Sequence, residues 1–416
     1  APSGAASAGL ESPALQRCEN GSSLTRVAAA NYMTCSKEAH SAWRRLLLTP
    51  MRLGVYVIPF LPLYVSTSLL FPYVTGRNFA FRILIELLLV PLAALVWLTR
   101  SVSEKCEHAP SRWPSPTTTA LLIFVSWMAL ADALGANPYR SVWSTYERMA
   151  GLLGLVHLVL FFFILKAAFE SLADWSRYFC LSIAASSSIA LLALFQYGVG
   201  VVYGSAGRPG GIMGNAGFLA GYLLLHLFLC VLILATERRV VPKMLLVASL
   251  CLHLVTIVVS GTRSAILALL LVGPVRVVLT AWRRRRRIRE ILTPRLQVGL
   301  VLVAAVAVAS LLLLRGLPLG GNFARPAVGT GQPWPRLTVW MTTLRAASER
   351  LWTGWGQENF YMVWERHYIS AGGFFDRAHN MILEWLTAGG IPALLILVAI
   401  GASVAFSSIG VRLDAL

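Results

Sequence analysis

Residues 241–272 read VPKMLLVASLCLHLVTIVVSGTRSAILALLLV. Two apolar runs meet here. One is Val241–Val259; the other opens at Thr262 and continues to Ala281, so only Ser260 and Gly261 lie between them. Each run has the length of a bilayer-crossing helix, roughly 17–25 residues. The short break leaves Arg263 at, or just inside, a membrane interface.

Outward from this pair the same pattern recurs. The ten candidate spans are Leu53–Val74, Ala80–Leu98, Thr117–Leu134, Gly151–Ala168, Tyr178–Tyr197, Ile212–Ala235, Val241–Val259, Thr262–Ala281, Leu296–Leu314 and Met381–Phe406. Composition agrees: of 416 residues, 57% are hydrophobic and 13% charged, against about 25% charged in soluble domains. The reading is an all-α, polytopic integral membrane protein of about ten transmembrane helices. Residues 47–416 form its helical membrane domain. Residues 1–46, rich in Ala, Ser and Gly, are expected to be a disordered tail. The six cysteines show no metal-ligand spacing, and three of them fall in apolar runs, so neither a zinc site nor a disulfide framework is expected.

The formal net charge of +18 would suggest nucleic acid in a soluble protein, but no recognition module is present and no nucleic-acid partner is expected. The charge has a topological reading instead. Assigning the connecting loops alternately to two sides puts Lys37, Arg44, Arg45, Arg52, Arg100, Lys105, Arg112, Lys166, Arg177, Arg238, Arg239, Lys243 and the Arg283–Arg287 run on one side. By the positive-inside rule that side is cytoplasmic, and the arginine run is a topology anchor in contact with anionic lipid. The other side holds Asn137 to Arg148, Gly207 to Gly211, the Ser260–Arg263 turn and one long segment, 315–378. Basic residues kept on that face work against the orientation rule and point to an anionic ligand.

Several residues of this outer face are candidates for chemistry. An arginine in a membrane helix costs roughly 2.5–3.5 kcal/mol and is a functional candidate by default; for Arg263 the bland alternative is snorkelling to the interface. Arg208, in Gly207-Arg208-Pro209-Gly210-Gly211, precedes a helix start, where backbone N–H groups and a guanidinium together suit phosphate oxygens. An ordinary Gly/Pro turn is the alternative. Arg336 and Trp340 are four apart and share one helix face, which could equally belong to an amphipathic helix resting on the membrane. His379 stands where the long loop meets the last span, beside Asn380, and a neutral imidazole there can accept a hydroxyl proton. His157, His226 and His253 lie within spans, where packing or a helix–helix hydrogen bond is the default. The outer carboxylates form no Asp-x-Asp pair, so metal-independent chemistry is expected, with cationic side chains offsetting phosphate charge.

Taken together these elements resemble the O-antigen ligase family. The residues that carry the resemblance are Arg208 with Asn215, Gly261-Thr262-Arg263-Ser264, Arg336 with Trp340, Gly354 through Phe360 with Gly356, and His379-Asn380. The resemblance implies a GT-C-like helical fold with a large periplasmic loop. It implies en bloc transfer of a preassembled glycan from undecaprenyl pyrophosphate to an acceptor hydroxyl, without cofactor or metal, at the periplasmic face of the inner membrane. His379, Arg263 and Arg208 are then the candidate catalytic residues. Arg336, Asn380, Asn215, Arg148, Tyr222, Trp340 and Gly356 are candidate substrate-binding residues. Partners implied are the lipid-linked donor, membrane lipids and an acceptor lipid, glycan or protein. A ligase acting on lipid A-core is the first reading. An O-antigen polymerase or a protein O-oligosaccharyltransferase is the alternative within the superfamily, and a polysaccharide flippase is the alternative of another class.

Overall fold

A computed structural model describes residues 42–103, 115–200, 207–272, 335–367 and 374–413. The expected tail before residue 42, the arginine run, the span Leu296–Leu314 and parts of the 315–378 loop lie outside these residues. Every described element is helical. We number them α1 (Ala42–Leu63), α2 (Thr75–Ser103), α3 (Pro116–Ala133), α4 (Pro138–Trp143), α5 (Leu152–Ala168), α6 (Leu172–Gly198), α7 (Ala216–Thr236), α8 (Val240–Val259), α9 (Arg263–Val272), α10 (Pro335–Glu349), α11 (Phe360–His367) and α12 (Met381–Leu413). Seven of the described helices are long and apolar enough to cross a membrane, and α5 and α9 are shorter apolar helices. The chain is a multi-pass helical membrane protein.

Boundaries follow local chemistry. Ser115 caps α3 ahead of Pro116, its hydroxyl accepting from the Thr118 N–H, and Ser171 and Asp174 form a capping box at α6. Two expected starts shift. The first span begins at Ala42, inside the stretch read as tail, and ends at Leu63 rather than Val74. Its last turn, Ile58–Leu63, is a 3-10 helix containing Pro62, and Tyr64 is extended. The sixth span starts at Ala216 rather than Ile212, because Gly211–Met213 form a separate 3-10 turn closed by left-handed Gly214 (φ 71°).

The largest departure is in the last span, which is read as one run in the sequence but breaks at Gly390 (φ 71°, ψ −169°) beside Pro392. Pro392 has no N–H to give the Ala388 carbonyl, and the Ile391 N–H turns away to Leu351 O (2.8 Å). The carbonyls so released are taken by other segments: Trp355 N–H donates to Thr387 O (2.7 Å), Gly356 N–H to Ala388 O (3.0 Å) and the Trp127 indole to Gly389 O (2.7 Å). A broken helix is tolerated at membrane depth when neighbouring segments satisfy the freed groups in this way. The kink thus stitches the Gly354–Gly356 loop onto α12.

Helix packing forms three neighbourhoods: α6, α7 and α8 together, α2 against α5, and α3 against α12, with α10 and α11 packed on each other and α10 also on α12. Hydrogen bonds gather two sets of helix ends. At one end, Arg52 of α1 reaches Ala168 O (2.8 Å) and Glu170 (2.7 Å), joining α1 to the end of α5. At the other end, Thr262 Oγ1 donates to Ala216 O (3.2 Å) and the Ala136 N–H to Trp355 O (2.9 Å).

Candidate active site

The first two turns of α2 organise this second end. Thr75 donates to the carbonyls of Tyr146 and Glu147 (3.4 Å each). Asn78 donates to Arg148 O (2.7 Å) and Arg82 to Met149 O. Positions 75, 78 and 82 share one helix face, so a single stripe holds the segment that carries Arg148. Arg77, off that stripe, donates to Tyr64 O (2.8 Å) and Ile212 O (2.6 Å), holding the turn that leads into α7.

The ten candidate residues fall into two groups. Arg208, Asn215, Tyr222 and Arg263 belong to the α7–α8–α9 side. Asn215 caps α7, its side-chain oxygen accepting from the Gly217 N–H (2.7 Å), and Arg263 is exposed at the start of α9. The Tyr222 hydroxyl is buried without a hydrogen-bond partner among the described residues, with the Arg77 guanidinium as an electrostatic neighbour. The second group is Arg148, Arg336, Trp340, Gly356, His379 and Asn380. Here Arg148, Arg336 and Arg377 all act electrostatically on His379, as does Asp376. The Trp340 indole N–H is buried and has no hydrogen-bond partner among the described residues. Orphaned buried polar atoms are uncommon in folded proteins, and here two of them are on candidate binding residues.

Asn380 and Gly356 have evident structural duties. The Asn380 side chain caps α12 by accepting from Ile382 N–H (3.0 Å) and Leu383 N–H (3.4 Å). Gly356 has φ 85°, and a Cβ there would stand 2.5 Å from Ser141 Oγ, so no larger residue fits the loop.

His379 itself has φ 51°. Its ring packs edge-on against Phe375, with centroids 6.0 Å apart. Part of its surface is exposed, yet the protein around it withdraws enough solvent to hold the imidazole below its ordinary value of 6.5. Burial is the largest cause. Asp376 opposes it, and the guanidiniums of Arg336, Arg148 and Arg377 reinforce it. The ring is therefore neutral, and able to take a proton, at neutral pH.

The residues missed in the sequence are those that surround this group. Arg377 bridges Glu358 and Glu384 (3.1 Å to the latter), and Arg148 pairs with Asp376. Glu384 also accepts from the Ala378 N–H (3.0 Å), immediately before His379. A cavity of about 350 Å³ opens beside them, between the turns of α2, α5 and α12 at this end; Arg82, Arg148, Glu358, Arg377, Glu384 and Trp385 are among its lining. The signal that could have found Arg82 was its placement inside an expected span. Besides His379, the non-glycine residues with positive φ among the described residues are Ser144 (68°), Met149 (51°) and Glu358 (60°). Met149 and Glu358 line the cavity. Such conformations gather where surrounding structure enforces them, often at active sites.

Fold and site define a class: a multi-pass helical membrane protein with a histidine among guanidiniums at one end of its bundle. The model of the O-antigen ligase family matches residues 244–398, a stretch that carries Arg263, Arg336, Trp340, Gly356, His379 and Asn380. Over that stretch the chain is similar to the O-antigen ligase family. No curated protein and no solved structure matches the chain.

Proposed function

We propose that the protein transfers a preassembled glycan from undecaprenyl pyrophosphate to an acceptor hydroxyl, without a metal, on the side of the membrane away from the cytoplasm, with lipid A-core as acceptor. The acceptor oxygen forms a bond to the anomeric carbon while the bond from that carbon to the pyrophosphate oxygen breaks. The electron pair leaves with the pyrophosphate, and the hydroxyl proton passes to His379. A single displacement of this kind inverts the anomeric centre. Arg208, Arg263 and Arg336 offset the charge that grows on the leaving group. The unpartnered Tyr222 hydroxyl and Trp340 indole N–H supply donors to sugar or phosphate oxygens.

The observation that carries this reading is the environment of His379: a neutral imidazole, held so by burial and by Arg336, Arg148 and Arg377, in the stretch that matches the family. The outward orientation is supported by the opposite end, where Lys166, Arg177, Arg238, Arg239 and Lys243 lie in or beside the turns between helices. The test is a transfer assay with lipid-linked glycan. His379→Ala and Arg263→Ala should each lower turnover by about 10²–10⁴-fold while remaining folded in detergent. Wild-type transfer by both variants ends this assignment.

A further inference from the structure

The cavity beside His379 is a built site with no task so far. It reaches from the Arg148 segment down to His157, whose Nδ1 is 2.7 Å from Leu153 O and whose Nε2 is 3.2 Å from Glu86. Its charges are numerous but already balanced. Arg377 is held by Glu358 and Glu384, Arg148 by Asp376, and Arg82 donates to Met149 O with Glu86 as its charged neighbour. The Glu358 side chain is only 7% exposed. A phosphate placed here would confront carboxylates at every guanidinium. A sugar ring meets none of that repulsion: its hydroxyls donate to carboxylates and accept from arginines, and its C–H faces suit the Phe81 and Trp385 rings that also line the space. The volume of about 350 Å³ is at the small end of ligand pockets, roughly 300–1,000 Å³. It fits one sugar unit rather than a preassembled glycan.

The location selects which sugar. Arg148 and Arg377 both line the cavity and both act on His379, and Glu384 holds the backbone next to it. A hydroxyl offered from this space is placed for the imidazole, whereas the pyrophosphate is assigned to Arg208, Arg263 and Arg336. We propose that the cavity between α2, α5 and α12 binds the acceptor's own sugar ring, the one whose hydroxyl is glycosylated, with Glu358 and Glu384 accepting its other hydroxyls and Trp385 supporting one face. This inference rests on the transferase reading.

Binding separates the two. The full chain in detergent is titrated with lipid A-core bearing no O-polysaccharide and, separately, with undecaprenyl pyrophosphate. Two variants are compared with wild type. Glu384→Gln keeps an oxygen acceptor for Ala378 but removes the charge. Ala150→Trp fills the cavity from an exposed rim position and leaves every ion pair in place. Each variant should bind lipid A-core about tenfold or more weakly and undecaprenyl pyrophosphate as wild type does. Unchanged affinity for lipid A-core in both variants overturns the inference. So does weakening confined to undecaprenyl pyrophosphate, which would give the cavity to the donor. Neither result touches the transferase reading, which stands or falls on His379→Ala and Arg263→Ala in the transfer assay.

Discussion

Two regions of this membrane domain handle polar groups in opposite ways. Within the α6–α7–α8 bundle, neutral polar side chains pair between helices. Ser182 pairs with His226 (2.7 Å), Ser186 with His253 (3.1 Å), and Cys230 approaches His253 at 3.9 Å. Around the cavity between α2, α5 and α12, by contrast, arginines and carboxylates interlock, and the backbone holds Met149, Glu358 and His379 at positive φ. Neutral interhelical hydrogen bonds average about 0.6 kcal/mol and act as glue. Partly buried charges are costly to keep unless paired, and each residue held at positive φ adds strain of about 1–3 kcal/mol. Such cost gathered in one place is the mark of a site.

That contrast can be broken most forcefully at Asp132. Its carboxylate accepts from both the Gln357 N–H and the Gln357 side-chain amide (2.7 Å each). Asp132→Ala leaves those buried donors unsatisfied, at about 1–3 kcal/mol each. A large drop in melting temperature in detergent, with loss of transfer, is expected. Next is the kink. Gly390→Ala forces a left-handed Cβ, worth about 1–2 kcal/mol, to within 2.3 Å of Trp352 O. Thermal unfolding should show destabilisation, and the Gly354–Gly356 loop should become accessible to limited proteolysis.

A smaller effect sharpens the electrostatic half of the comparison. His379 acts while neutral, so transfer should fall as pH drops through its folded-state pKa, which lies below the ordinary imidazole value because of burial and three guanidiniums. Removing a cation relieves part of that depression: Arg336→Gln should move the acidic limb of kcat/KM to higher pH. Asp376→Asn removes the one opposing charge and should move it lower. The folded ring binds its proton less tightly than the unfolded one, so this residue's contribution to stability is also lost as pH falls below the unfolded value. Limbs that stay fixed in both variants would remove His379 from the role of base. The smallest effect belongs to the bundle. Ser186→Ala should cost about 0.6 kcal/mol in thermal unfolding and leave transfer unchanged; a loss of transfer would make that bundle more than scaffold.

The histidines show how far reading the chain could go. His226 and His253 were expected to pack or to bond between helices, and their serine partners show the bond. His379 was singled out because it stands at a loop–span junction beside Asn380. Its acidic neighbours were not, since Glu358 and Glu384 flank it at distances of 21 and 5 residues and meet only through Arg377. Arg82 and Glu86 passed unnoticed inside a long apolar run. Their partners, the Met149 carbonyl and His157, are 67 and 71 residues away.

Hydropathy sufficed for the described membrane helices, because insertion into lipid is decided segment by segment: each apolar run must satisfy its own backbone. The family motifs were equally local, each a few residues long. The cavity, the multiply shared Arg377 and the turn of Ile391 toward Leu351 could not be read that way. They depend on which helices become neighbours, and in lipid that choice follows from close packing and paired polar groups rather than from any apolar pattern along the chain.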